Sequence, residues 1–175
     1  TKDLNPTYGS IQKVYTRNTD LIALCEDKIL KILANKDALF NADGNVNLIA
    51  TENVLGQAVP FAGDYGISTN PESFASHGYR IYFADKKRGA ILRLSMDGIT
   101  NISDVGMRDY FIDNLKESSS VVGSYDITTD SYNVTLNNDT ASYTELTKGW
   151  LSRKSFIQDA GISLNNIYYT FALAD

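Results

Sequence analysis

A single cysteine and a single histidine occur in this chain of 175 residues, and only three prolines, Pro6, Pro60 and Pro71. One cysteine excludes an intrachain disulfide. Cys25 also stands between Leu24 and Glu26, neighbours that oppose thiolate formation, so it reads as a small buried apolar group and not a nucleophile. One cysteine and one histidine do not make a structural zinc site. A Ser-His-Asp triad would have to centre on His77. Next to Gly78, at the end of a short helical stretch, His77 is expected to serve as a carbonyl cap. No apolar run approaches the ~20 residues of a membrane span, and no membrane partner is expected. Neither a Walker loop nor G-x-G-x-x-G is found, so phosphate and dinucleotide binding have no support. Positive charge is also sparse: the net charge is −5, and Lys86-Lys87-Arg88 suits a turn or a local contact. That balance argues against nucleic acid as a partner. No cofactor and no metal are expected.

Hydrophobic residues make up 43% of the chain and charged residues 21%, enough for a real core in one domain spanning residues 1–175. Tyrosine and β-branched residues are frequent. So are turn pairs, among them Asp43-Gly44, Gly63-Asp64, Asp97-Gly98 and Asn137-Asn138. Close spacing of short strands and turns predicts a mainly β protein. Three segments read as hairpins: residues 20–35 with a tight turn at Glu26-Asp27, 79–98 with a turn at Lys86–Gly89, and 121–138 with a turn at Ile127–Thr129. In each, the first strand ends near an acidic residue, Glu26, Asp85 or Asp126, and the second strand alternates in side-chain character. The turns lie 59 residues apart (Glu26 to Asp85) and then 41 (Asp85 to Asp126).

A hairpin recurring at that loose period matches the blades of a β-propeller, because a lone hairpin cannot bury its apolar face and needs neighbours. A propeller-like array of antiparallel hairpins, partial or cut from something larger, is therefore expected, with a β-sandwich as the alternative. Two helical segments interrupt it. Residues 70–78 ("NPESFASHG") offer Asn70 as N-cap, Pro71 at the first position, Glu72 in the first turn and Gly78 as terminator. A stronger helix is expected near residues 104–116, capped by Ser103 or Asp104. Met107, Phe111 and Leu115 share one face of it, with Tyr110 and Asn114 alongside, and that face packs on the sheets.

Chemistry is harder to assemble. "FNADGNVNL" places Asn41, Asp43, Asn45 and Asn47 at alternate positions, as a calcium loop does. It has one carboxylate, an early glycine and no closing glutamate, so it reads as an Asp-Gly turn. "GDYGIS" (63–68) precedes no helix and reads as a loop needing positive φ. "LSMDGIT" (94–100) is close to the Asp-box turn of sialidase propellers, which is structural. Glycoside hydrolysis would need paired carboxylates. Asp64, Glu72, Asp85 and Asp126 are the candidates, and turn and cap chemistry accounts for them. Asp97 reads as a turn residue too.

The longest legible run, "GDYGISTNPESFASHGYRIYFADKKRGAILRLSMDGITNISDVGMRDYF" (63–111), resembles a segment of large virion structural proteins of crAss-like and related tailed bacteriophages, the stabilisation or tail-muzzle type. "VVGSYDITTDSYNVTL" (121–136) is similar to a hairpin of those proteins. "KGWLSRKSFIQDAGISLNNIYYTF" (148–171) is similar to their Trp-containing segment, with Gln158-Asp159 where the family often carries Pro-Glu. The resemblance covers roughly residues 10–171 and implies architecture, not catalysis: a virion tail component, made in the bacterial cytoplasm and assembled on a symmetric ring. Its partners would be other tail proteins and copies of itself. Trp150, Tyr168 and Tyr169 are then the candidate interface aromatics, with core packing as their alternative role. A start at Thr1 is expected of a processed product or an excised piece. The competing reading is a carbohydrate-binding or glycan-processing propeller at the host surface.

Overall fold

A computed structural model describes residues 3–17, 20–33, 56–151 and 153–172. The protein is mainly β. Its strands form three successive four-stranded antiparallel sheets and a final hairpin, each laid down in chain order. The first sheet holds β1 (Ile11–Arg17), β2 (Asp20–Cys25), β3 (Ile29–Leu33) and β4 (Ala58–Pro60). β5 (Ala75–His77), β6 (Arg80–Asp85), β7 (Ala90–Ser95) and β8 (Gly98–Asn101) make the second. The third contains β9 (Val121–Asp126), β10 (Ser131–Leu136), β11 (Asp139–Thr144) and β12 (Gly149–Trp150). β13 (Ala160–Leu164) and β14 (Ile167–Phe171) form the hairpin. One helix, α1 (Arg108–Glu117), precedes the third sheet.

The sheets stack face on face, and strand alternation decides which residues meet. Ile81, Phe83, Leu92 and Leu94 of the second sheet pack with Ile22, Leu24 and Ile29 of the first. The opposite face, with Tyr82, Ala84 and Ile91, meets Val121, Tyr132 and Val134 of the third sheet, and Phe111 and Leu115 of α1 close that core. The first strands β5, β9 and β13 are neighbours, as the inner strands of propeller blades are. The architecture is therefore propeller-like, and no sheet closes into a barrel among the described residues.

All three expected hairpins are present, but one is out of phase. Residues 20–33 and 80–95 are the second and third strands of their sheets, whereas 121–136 are the first and second. A repeated contact shows the true correspondence. At the end of each second strand a side chain accepts hydrogen bonds from the segment leading into its sheet. Glu26 accepts from the Ser10 amide (3.2 Å) and hydroxyl. Asp85 accepts from the Gly66 amide (3.0 Å) and the Ser68 hydroxyl (2.9 Å). Asn137 accepts from the Ser119 amide (3.0 Å) and hydroxyl (3.1 Å). Asp126 instead makes a local turn, bonded by the Thr128 and Thr129 amides and hydroxyls. The uneven 59 and 41 spacing came from aligning Asp126, in place of Asn137, with Asp85.

The helical expectations need two corrections. Residues 71–73 form a single 3-10 turn, after which Ala75–His77 enter the sheet as β5. Asn70 makes no side-chain cap, and Gly78 (φ 56°) serves the β5–β6 turn. Near 104–116, Asn101 caps a short 3-10 turn at Ile102–Asp104, and α1 starts only at Arg108, with Met107 at its N-cap. The buried face is as expected, with Phe111 and Leu115 inside. Gly63 has the positive φ (93°) expected of its loop. The loop carrying Asn41, Asp43, Asn45 and Asn47 lies outside the described residues.

Candidate interaction surface

The charged turn Lys86–Arg88 ties neighbouring sheets together. Lys86 Nζ donates to the Ser118 carbonyl ahead of β9 (2.6 Å). Lys87 pairs with Asp27 (3.0 Å) and Glu26 (3.4 Å) of the first sheet's β2–β3 turn. Arg88 bridges Asp27 (3.4 Å) and the fully buried Asp85 (2.9 Å). Hydrogen bonds from Ser10, helped by Lys87, hold the Glu26 carboxyl below its ordinary range. Glu145 joins the second and third sheets: it accepts from Tyr82 (2.6 Å) and pairs with Arg93 (3.0 Å).

Of the carboxylates singled out from the sequence as catalytic candidates, only Asp85 belongs to these networks. Asp64 is exposed and pairs with Lys28 (3.1 Å). Glu72 lies in the 3-10 turn. Asp85 is buried in the network above, and Asp126 in its own turn. Burial works against the Asp126 carboxylate, but the bonds from Thr128 and Thr129 prevail and keep its pKa low. No hydrogen-bond or ion-pair partner is shared among these four. Asp97 stands on the β7–β8 turn, its side chain 68% exposed. Cys25 is fully buried, and burial, with Glu26 beside it, pushes its thiol pKa up. Among the described residues no group of three or more His, Cys, Asp or Glu is placed to hold a metal. No helix among them is long and apolar enough to cross a membrane.

His77 lies in β5 and not at a helix end; its ring stacks on Tyr125 at 4.5 Å. The pair borders a groove of about 330 Å³ along the first strands, lined also by Ser76, Ser124, Ile162 and Ser163. The Ser124 and Ser163 hydroxyls already bond within the protein, and no carboxylate lines the groove.

The last hairpin differs from the other layers. The third sheet turns toward it and toward the segment ahead of it a face with Ser124, Asn133, Thr135, Thr140 and Ser142, all buried. Gln158, ahead of β13, is buried against them. It accepts from Ser124 Oγ (2.7 Å) and from the Tyr168 hydroxyl (3.0 Å), and donates to the Asn133 carbonyl (3.3 Å). Asn133 donates to the Tyr168 hydroxyl (3.2 Å), Thr140 to the Phe156 carbonyl (2.7 Å) and Ser163 to the Tyr125 carbonyl (2.8 Å). Asn133 Oδ1 and Ser142 Oγ are buried without a hydrogen-bond partner. The first two seams are apolar; this third one is polar.

The hairpin's apolar residues face the other way. Pairing sets Ala160 opposite Phe171, Ile162 opposite Tyr169 and Leu164 opposite Ile167, so all six share one face. Ile162, Leu164, Ile167, Tyr169 and Phe171 are each 43–57% exposed. Among the described residues β14 pairs with β13 alone.

Of the three candidate interface aromatics, Trp150 packs inward against Phe111 (4.6 Å) and Tyr143 (5.5 Å), and donates to the Ile102 carbonyl (2.8 Å). Tyr168 belongs to the polar seam. Tyr169 sits on the exposed face. Its companions Ile162, Leu164, Ile167 and Phe171 were missed, although the alternation of residues 160–164 and 167–171 signals them. Compared with protein-family models and with curated proteins, the chain matches none.

Proposed function

We propose that the protein is a non-enzymatic structural module of a tailed-phage virion, acting in the tail or muzzle assembly through contacts with other tail proteins and with copies of itself. The observation that carries this reading is the apolar face of the β13–β14 hairpin, where five large side chains are left 43–57% exposed on one sheet face, since such a face marks an interaction site. The segmental resemblance to virion proteins of crAss-like phages supports it, and a symmetric ring is the arrangement that resemblance implies. The carboxylates of Glu26, Asp27, Asp85 and Glu145, spent on joining neighbouring segments and sheets, add further support. Mass spectrometry and antibody labelling of purified particles of the encoding phage test it. Enrichment at the tail is expected, and absence from the particles would sink the reading.

The groove beside His77 and Tyr125 is the place for a second reading, a carbohydrate-binding surface, but it is the weaker one: Tyr125 is buried between His77 and Tyr82, and the Ser124 and Ser163 hydroxyls are already bonded within the protein. A glycan array combined with a hydrolysis assay decides it, and neither binding nor turnover is expected.

A further inference from the structure

We infer that the β13–β14 hairpin is a detachable strap: residues 157–171 leave the third sheet and return to it as one body while the three stacked sheets stay folded. Apolar clusters join those three sheets, and no residue of the hairpin belongs to any of the clusters. Strand alternation explains this. Ile162, Leu164, Ile167, Tyr169 and Phe171 lie on the outer face, so the hairpin docks with Gly161, Ser163 and Tyr168. A protein–protein hydrogen bond broken on undocking is replaced by one to water, so each contributes little net. Asn133 Oδ1 and Ser142 Oγ, on paired residues of β10 and β11, are buried on the docking face without a partner; undocking returns them to water. The opposite face of the third sheet keeps Tyr132, Val134 and Tyr143 in the core it shares with the second sheet. That core does not depend on the strap.

The latch is a small set of side chains. Gln158 accepts from Ser124 and Tyr168, and donates to the Asn133 carbonyl (3.3 Å) and the Val122 carbonyl (3.4 Å). Ser163 Oγ accepts from the Ile127 amide (3.2 Å) and donates to the Tyr125 carbonyl (2.8 Å). Gln158 and Ser163 thus occupy the outer edge of β9, whose other edge pairs with β10. Undocking bares that edge, and a bare edge is a template for a further strand. The hinge follows Phe156, whose carbonyl is held by Thr140 (2.7 Å), close to the Lys154 amide bonded to the Thr140 carbonyl (2.9 Å). The fit is close: a Cβ on Gly161 would stand 2.6 Å from both Gln158 Oε1 and Ser124 Cβ.

Hydrogen exchange of the full 175-residue chain, followed by mass spectrometry at rising urea below the unfolding midpoint, tests this. Once undocked, the hairpin's own amides exchange, because two strands alone are marginal. The amides of β13 and β14 are expected to exchange together through one urea-dependent opening, at least about 100-fold faster than those of β6, β7 and β10. Gly161→Ala is expected to speed the hairpin's exchange by a further ~10-fold or more through its clash with the seam. Ser163→Ala, which cuts the tie to the β9 edge, is expected to speed it too. Both substitutions should leave β6, β7 and β10 unchanged. Hairpin exchange in step with β10 overturns the inference, and so does exchange one amide at a time from Phe171 inward without urea dependence. It is equally overturned if neither substitution speeds the hairpin, or if either speeds β6 as much as β13.

Discussion

Asp85 shows what a single buried carboxylate does in this protein. It accepts from the Gly66 and Arg88 amides, the Ser68 hydroxyl and the Arg88 guanidinium, so its removal leaves several donors without an acceptor. Asp85→Ala is expected to cost about 3 kcal/mol in urea unfolding, more than the loss of an ordinary turn cap. Asp97→Ala, at an exposed side chain whose pair with Arg93 is 3.7 Å long, is expected to stay within about 0.5 kcal/mol; equal losses would refute the distinction. Glu26 and Asp126 have depressed pKa values in the folded protein. Their contribution is therefore full above the ordinary carboxylate range and fades as pH falls through and below it. Urea midpoints taken from pH 6 to pH 3 should drop, and a rise would contradict that sign. At this scale the sequence was partly readable. Adjacent strand residues point to opposite faces, so Tyr168 and Tyr169 could not both face outward. Which one did depended on the polar side chains of the third sheet, 35 and more residues away.

At the scale of elements, residues 79–98 were legible because alternation, turn and Asp-Gly stop agree within one short stretch. The third sheet was misphased because Asp126 imitates Asp85. A carboxylate ends the strand in both cases, yet the residue doing the work of Asp85 is the uncharged Asn137. What the site needs is an acceptor, not a charge, and charge was the visible signal. Residues 70–78 failed as a helix because Asn70 makes no side-chain cap and Pro71 favours only the first turn, while β5 gains a partner in β6 and Tyr125 stacks over His77. The close approach of sheets also hides in single residues. A Cβ at Gly123 would lie 2.0 Å from the Ser73 carbonyl oxygen. Gly123→Ala should therefore push β9 away from the 3-10 turn and lower stability by about 3 kcal/mol, whereas a change under 0.5 kcal/mol would show that the strands yield freely.

For the whole molecule, the sequence implied stacked hairpins but not the chemistry of each seam, which depends on which faces meet. Burial raises the pKa of Tyr82, Tyr125 and Tyr132, and burial with Asp139 as hydrogen-bond partner pushes Tyr110 up to about 12. Their contribution is thus intact below the unfolded value near ~10 and is lost as pH climbs from there through the folded values. The part of the tyrosinate absorbance that belongs to these four rings should appear only in step with loss of circular dichroism, and complete ionisation of all eleven tyrosines well before unfolding would count against this. Hydrogen exchange should find the amides of β13 and β14 opening at lower free energy than those of β6, β7 and β10. The polar seam also carries a thermal signature. Exposing apolar surface raises heat capacity, and exposing polar surface lowers it. Release of the terminal hairpin from the third sheet should therefore change heat capacity little, while separation of the first three sheets changes it strongly. Cooling weakens the apolar seams and spares the hydrogen-bonded one, so the stack has layers whose relative strengths shift with temperature.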